Sequence, residues 1–166
     1  SGLQKELSSI VKGVHDFENI EFITVKTHEA SVYRQQKFEL PSKVLFVDDE
    51  KDFVHAVSRR LTSRDIGTYG VYNGEDALNL VLDDKPDVMV LDLKMPCLHG
   101  TEVLRRVKKL VPEIEVIILT GHGSIQDEQE CMRLGAYAYL NKPVDIEKLS
   151  ETIKAANHRL LSSASH

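Results

Sequence analysis

The sequence predicts an α/β fold in which one five-stranded parallel sheet is doubly wound, with helices on both faces. Two observations carry that prediction. From Ser42 onward, short and mostly apolar runs alternate five times with stretches whose apolar residues recur at helical spacing. The third run, Val88-Met89-Val90-Leu91, is apolar at every position, as expected of a strand buried on both faces.

Each element follows from its own residues. Lys43 to Val47 reads as a strand and ends in Asp48-Asp49-Glu50. Residues 51 to 64 follow as a helix with Phe53, Val54, Val57 and Leu61 on its inner face. Gly67 to Tyr72 gives a second strand, and Asn73-Gly74 turns the chain into a helix reaching about Asp84. The third strand lies between Pro86 and Asp92, after which Met95-Pro96 and Gly100 turn the chain. The helix Thr101 to Leu110 points Val103, Leu104 and Val107 inward and is stopped by Val111-Pro112. Glu115 to Leu119 is the fourth strand and leads into Thr120-Gly121-His122-Gly123. A helix over 125 to 134 stops at Gly135, and Ala136 to Leu140 is the fifth strand, ending at Asn141-Lys142-Pro143. The last helix, about 145 to 161, carries Ile146, Leu149, Ile153, Ala156 and Leu160 inward, leaving 162 to 166 as a tail.

Residues 1 to 41 break this rhythm. Leu3, Leu7, Ile10, Val14 and Phe17 recur at spacings of four, three, four and three, the stripe of an amphipathic helix, and residues 20 to 26 look extended. This appendage is the tail of an upstream domain, a dimerisation arm, or an extra layer on the main domain. The chain begins Ser1-Gly2, so it is expected to be a fragment or a processed form.

Composition narrows the classes. With 42% apolar and 28% charged residues the chain is globular in type, and a net charge of −5 without a basic block argues against a nucleic-acid surface. Apolar runs reach only about five residues, far from the roughly 20 that span a bilayer. Cys97 and Cys131 form neither a disulfide framework nor a zinc site, and a reducing, cytoplasmic setting accounts for them. His15, His28, His55, His99 and His158 match no ligand spacing.

Parallel strands point their carboxyl ends to one rim, where an open α/β sheet binds ligands. Asp48, Asp49, Asp92, Thr120 and Lys142 all follow strands and fall on that rim. Taken singly, Asp92 is a nucleophile, a metal ligand, or an aspartate capping a loop. Crowded together, the three carboxylates repel unless a cation lies among them, and oxygen-only ligands suit Mg²⁺, or Mn²⁺ as a related hard ion. Lys142 adds a positive charge on a flexible stem, and Thr120 adds a hydroxyl. The set suits an acyl-phosphate site with Asp92 as nucleophile.

Residues 42 to about 161 resemble the receiver domain of two-component response regulators, which has a CheY-like, flavodoxin-like (βα)5 fold. The resemblance rests on Val44-Leu45-Phe46-Val47-Asp48-Asp49-Glu50, Val90-Leu91-Asp92-Leu93-Lys94-Met95-Pro96, Leu119-Thr120-Gly121 and Lys142-Pro143. It implies that Asp92 accepts phosphate from a histidine on a sensor kinase or a histidine phosphotransfer protein. It implies Mg²⁺ bound by Asp49, Asp92 and the backbone carbonyl of Lys94, with Asp48 acting through water. Thr120 and Lys142 would contact the phosphoryl group, and the Lys142–Pro143 bond would be cis. Tyr139 matches the aromatic switch position, its ring moving inward as Thr120 is drawn to the phosphate. Lys94 and His122 border the phosphoryl group and either tune its lifetime or are solvated loop residues. The readout face, and a homodimer surface, would be made by the fourth helix, fifth strand and fifth helix.

Other functions fit less well. A phosphatase with an aspartyl nucleophile needs a second acid two residues on, where this chain has Lys94. An unphosphorylated receiver-like scaffold typically loses an acid, the threonine or the lysine, and all are present here. The receiver of a hybrid kinase, or a phosphorelay member passing phosphate onward, is compatible with the same residues.

Overall fold

The computed structural model describes residues 43–164. The reading of residues 1 to 41 as a helix plus an extended segment lies outside them. Five strands, β1 (Val44–Val47), β2 (Thr68–Val71), β3 (Val88–Leu91), β4 (Glu115–Thr120) and β5 (Ala138–Asn141), alternate with five helices. These are α1 (Lys51–Thr62), α2 (Gly74–Asp83), α3 (Gly100–Leu110), α4 (Ile125–Arg133) and α5 (Ile146–Ala164). All strand pairs are parallel, in the order β2-β1-β3-β4-β5. The order reverses between β1 and β3, which opens a crevice at their carboxyl ends.

Alternation along the strands divides the core between the two faces. Leu45, Val47, Met89, Leu91, Val116 and Ile118 pack against Ala77, Val81, Val103, Leu104 and Val107 of α2 and α3, with Cys131 of α4. Val44, Phe46, Val88, Val90, Ile117 and Leu119 face the other way, onto Val54, Val57 and Leu61 of α1 and Leu149, Ile153 and Ala156 of α5. Each buried Val, Leu, Ile, Phe or Met among them contributes about 1.5–3 kcal/mol on burial. The sheet is therefore the rigid middle layer, and its rim inherits that rigidity.

The boundaries differ from the sequence reading for local reasons. Helix α1 ends at Thr62 because Ser63 to Asp65 form a tight turn, with Asp65 left-handed at φ 60° and the Ile66 amide donating back to Leu61. Strand β5 begins two residues late because α4 closes in a Schellman motif. Gly135, at φ 101°, donates to the Met132 carbonyl and Ala136 donates to Cys131, so these amides are not available to the sheet. Helix α5 continues to Ala164 rather than stopping near 161. Phe53 is only half-buried, unlike the buried Val54 and Val57 beside it. The side chain of Leu160 lies outside the described residues.

Gly100 fixes the loop after β3. Its amide donates to the Leu93 carbonyl at 2.8 Å, and a Cβ there would overlap the Asp92 carbonyl oxygen and lie 2.7 Å from Leu93 Cα. Backbone cannot yield as a flexible side chain can. Gly100→Ala should therefore destabilise the fold by about 1–3 kcal/mol, the scale of core overpacking, as measured by urea unfolding.

Candidate functional site

Strand hydrogen bonding carries Asp48 and Asp92 to the rim at the β1/β3 crevice. The Asp48 amide donates to Val71 O on one side, and the Asp92 amide donates to Val47 O at 2.9 Å. Both side chains are nearly sealed, Asp48 at 3% and Asp92 at 6% exposure, whereas Asp49 is exposed. One carboxylate oxygen from each of Asp48, Asp49 and Asp92 lies within 4.8 Å of the others.

Lys142, at the end of β5, reaches across to this cluster. Its Nζ donates to Asp48 Oδ2 at 2.6 Å and to Glu50 Oε1 at 3.1 Å, and lies 3.9 Å from Asp92 Oδ2. The same ammonium stands over the Phe53 ring, 4.2 Å from its centroid. The backbone before Lys142 is tied to β4, its amide donating to Thr120 O at 2.9 Å, and the Lys142–Pro143 peptide is cis.

Burial pushes the Asp48 carboxyl above its ordinary range, and this outweighs the lowering by the Lys142 ammonium and the Glu50 amide, while the Asp92 charge adds to the rise. Burial pulls Lys142 down, but the hydrogen bond to Asp48 and the charges of Asp48 and Asp92 lift it above its usual value. The two shifts describe one imbalance: a single ammonium serves several carboxylates, and the most buried of them is still under-compensated. An all-oxygen donor set short of positive charge fits a hard divalent cation such as Mg²⁺.

Thr120 ends β4 fully buried, its hydroxyl accepting from the His122 amide at 3.4 Å. Tyr139 on β5 has its hydroxyl buried, with no hydrogen-bond partner among the described residues. The side chains of Lys94 and His122 are exposed, and no hydrogen bond or ion pair joins either to the carboxylates. The Asp127 carboxyl of α4 is held low first by the Ser124 amide and then by the Ser124 hydroxyl, with weaker lowering by the charges of His99 and Lys94.

A family model described as the response regulator receiver domain matches residues 44–154. The chain belongs to the response regulator receiver family. It is 34% identical over 112 residues to sporulation initiation phosphotransferase F of Bacillus subtilis, covering 68% of this chain and 90% of that protein. It is 33% identical over 116 residues to the transcriptional regulatory protein GlrR of Escherichia coli, covering 70% of this chain but 26% of the relative. Among solved structures, a CheY-like receiver domain protein from Methanospirillum hungatei JF-1 matches with TM-score 0.71 at 25% identity, over 74% of this chain and 98% of that one. A receiver domain protein from Clostridium thermocellum matches with TM-score 0.67 at 34% identity, over 71% and 95%. The five-stranded flavodoxin-like receiver fold is thus established, and the domain is a signalling module of two-component response regulators. No helix of the described residues is long and apolar enough to cross a membrane.

Three contributors to the site had no assigned role in the sequence reading. Glu50 begins α1 as its N-cap residue, yet its side chain makes no capping bond and turns to Lys142 instead. Phe53, expected on the inner helix face, packs its ring against the Lys142 ammonium. Gly123 adjoins the Tyr139 hydroxyl. The acid immediately after the Asp48-Asp49 pair was a visible signal for Glu50; the other two depend on where loops fold.

Asp49→Asn relieves repulsion, so without divalent ions it should raise stability by about 0.5–1 kcal/mol, the scale of an exposed charge pair. The unsubstituted protein should gain about 2.7 kcal/mol at Mg²⁺ a hundredfold above Kd, and Asp49→Asn should lose most of that gain in thermal melts. Burial lifts the Tyr139 and Tyr69 phenols from 10.0 to about 12. Because the folded values are raised, their contribution to stability is intact below pH 10 and is lost as pH rises toward about 12, which ultraviolet titration alongside unfolding would register.

Proposed function

We propose that this receiver is a phosphorylation-driven switch. In it, Asp92 takes a phosphoryl group from a phosphohistidine on a sensor histidine kinase or a histidine phosphotransfer protein. The observation that carries this reading is the convergence of Asp48, Asp49 and Asp92 within 4.8 Å, with the Lys142 ammonium already 3.9 Å from Asp92. An Asp92 carboxylate oxygen attacks phosphorus, and the bond from phosphorus to the donor imidazole breaks with its electrons returning to nitrogen. The product is an acyl phosphate.

Asp49, Asp92 and the Lys94 carbonyl would hold Mg²⁺ or Mn²⁺ directly, and Asp48 through water. When bound there, such an ion would supply positive charge for the phosphoryl oxygens. Lys142 supplies the rest, exchanging its bonds to Asp48 and Glu50 for the phosphoryl oxygens. Thr120 offers its hydroxyl to the same group, and Tyr139, whose hydroxyl lies beside Thr120, transmits the change to the face made by α4, β5 and α5. That face presents Ile125 and Met132 of α4 to solvent, as a docking or homodimer surface requires. Lys94 and His122, each two residues past Asp92 and Thr120 and exposed, would tune the phosphoryl lifetime. The acyl phosphate forms and hydrolyses on the protein itself, so the chemistry is self-phosphorylation and autodephosphorylation only. We assign 42–161 to the receiver and 1–41 to a separate appendage, in a protein of the cytoplasm, where both thiols are free.

A second reading is supported by the chain's match to 90% of a relative named a phosphotransferase: the phosphoryl group would pass onward from Asp92 to another histidine. Transfer to a histidine phosphotransfer protein separates the two.

Acetyl phosphate with Mg²⁺ should add one base-labile phosphoryl group, seen as a single shift in intact mass. Asp92→Asn should abolish it, and labelling that survives this substitution contradicts the assignment. Lys142→Ala should keep Mg²⁺ binding but uncouple phosphorylation from any change at Tyr139.

A further inference from the structure

The loop after β4 holds two glycines close together in sequence, and they differ in what a side chain would meet. A Cβ at Gly121 would make only ordinary contacts, 3.8 and 3.9 Å from Lys142 carbons. A Cβ at Gly123 would overlap the Tyr139 hydroxyl oxygen, lie 2.8 Å from the carbon that bears it, and lie 3.0 Å from Thr120 Cγ2. The φ angle at Gly123 is outside the left-handed region, so φ does not itself call for glycine there. Glycine is needed for space.

The second observation is the hydroxyl itself. It is buried and has no hydrogen-bond partner among the described residues. A phenol enters such a place for the fit of its ring and not for a bond, and it gives up water to do so. Ring burial against the α2–α4 side of the core favours the inward position, while hydration of the hydroxyl favours an outward one. A balance of that kind is sensitive to one methyl group.

We propose that Gly123 is a positioning residue of the switch: lacking a side chain, it forms the seat that holds the Tyr139 hydroxyl beside Thr120. The ring is thereby inward before a phosphoryl group arrives, and the side chain at position 123 sets how far inward it lies. Phosphorylation then acts on a ring whose hydroxyl is already buried on the Thr120 side of the loop instead of drawing it from solvent. This rests on Tyr139 being the switch aromatic, as proposed above.

The test is nitration of the full chain by tetranitromethane without any phosphodonor, with peptide mass mapping to assign each tyrosine. Tyr72, whose hydroxyl meets His55 at an exposed site, is the internal reference. Tyr139 should be nitrated far more slowly than Tyr72. Gly123→Ala should accelerate Tyr139 nitration by about tenfold or more, as expected from overpacking at the seat, with Tyr72 unchanged. Gly121→Ala should leave Tyr139 protected. Equal protection of Tyr139 in Gly123→Ala, or equal exposure in Gly121→Ala, would overturn the proposal. So would a Tyr139 as reactive as Tyr72 in the unsubstituted chain. Tyr139→Phe, which needs no change at position 123, should hold or raise the thermal midpoint, because it removes only an unpartnered hydroxyl. A lowered midpoint would show that the hydroxyl is bonded and refute the seat. Acetyl phosphate labelling of Asp92 is scored separately, so failure of the seat and failure of the phosphoacceptor assignment give different results.

Discussion

Like charge forced into a small space is the constraint from which the rest of this structure follows. Strand order brings the ends of β1 and β3 side by side, and the residues at those ends are Asp48, Asp49 and Asp92. Two of these carboxylates are almost sealed from water, where ionised groups are most costly. Lys142 reaches the cluster from β5, two strands beyond β3, and bonds the most buried member, yet the Asp48 carboxyl is still raised. Such a site is short of positive charge, which suits it to a bound hard divalent cation, and groups perturbed in this way concentrate at functional sites.

The scaffold supplies the tolerance. Each strand sends alternate residues into two separate apolar layers, so the sheet is clamped by α1 and α5 on one side and by α2, α3 and α4 on the other. The rim residues inherit fixed positions from that clamp. Gly100 packs against the Asp92 backbone, Phe53 places an aromatic face under the ammonium, and Glu50 gives up a helix cap to become a second anion for Lys142. The ammonium therefore has two protein anions to leave and one, Asp92, within reach. A phosphoryl group would compete for it there with charge alone.

Much of this was legible in the sequence because it depends on chain order. A buried parallel strand is apolar throughout, so β1, β3 and β4 declared themselves, and whatever follows a parallel strand lies on one rim; that placed Asp48, Asp49, Asp92, Thr120 and Lys142 without coordinates. The family resemblance named the same residues. What escaped depends on contacts between segments distant in sequence. Glu50 reads as the last of the acids that follow the first strand until Lys142, from the far end of the chain, is seen beside it. Gly123 is one more residue of the stretch after the fourth strand until Tyr139 is found against it. The start of β5 was misplaced because Ala136 and Tyr137 are apolar enough for a strand, while the Ala136 amide belongs to the cap of α4.

The most direct test of the central claim is the position of one ion. A crystal grown with Mn²⁺ should show a single strong anomalous peak among the carboxylates of Asp48, Asp49 and Asp92, close to the Lys142 ammonium. A peak elsewhere, or none at this rim with Mn²⁺ in excess, would contradict the account.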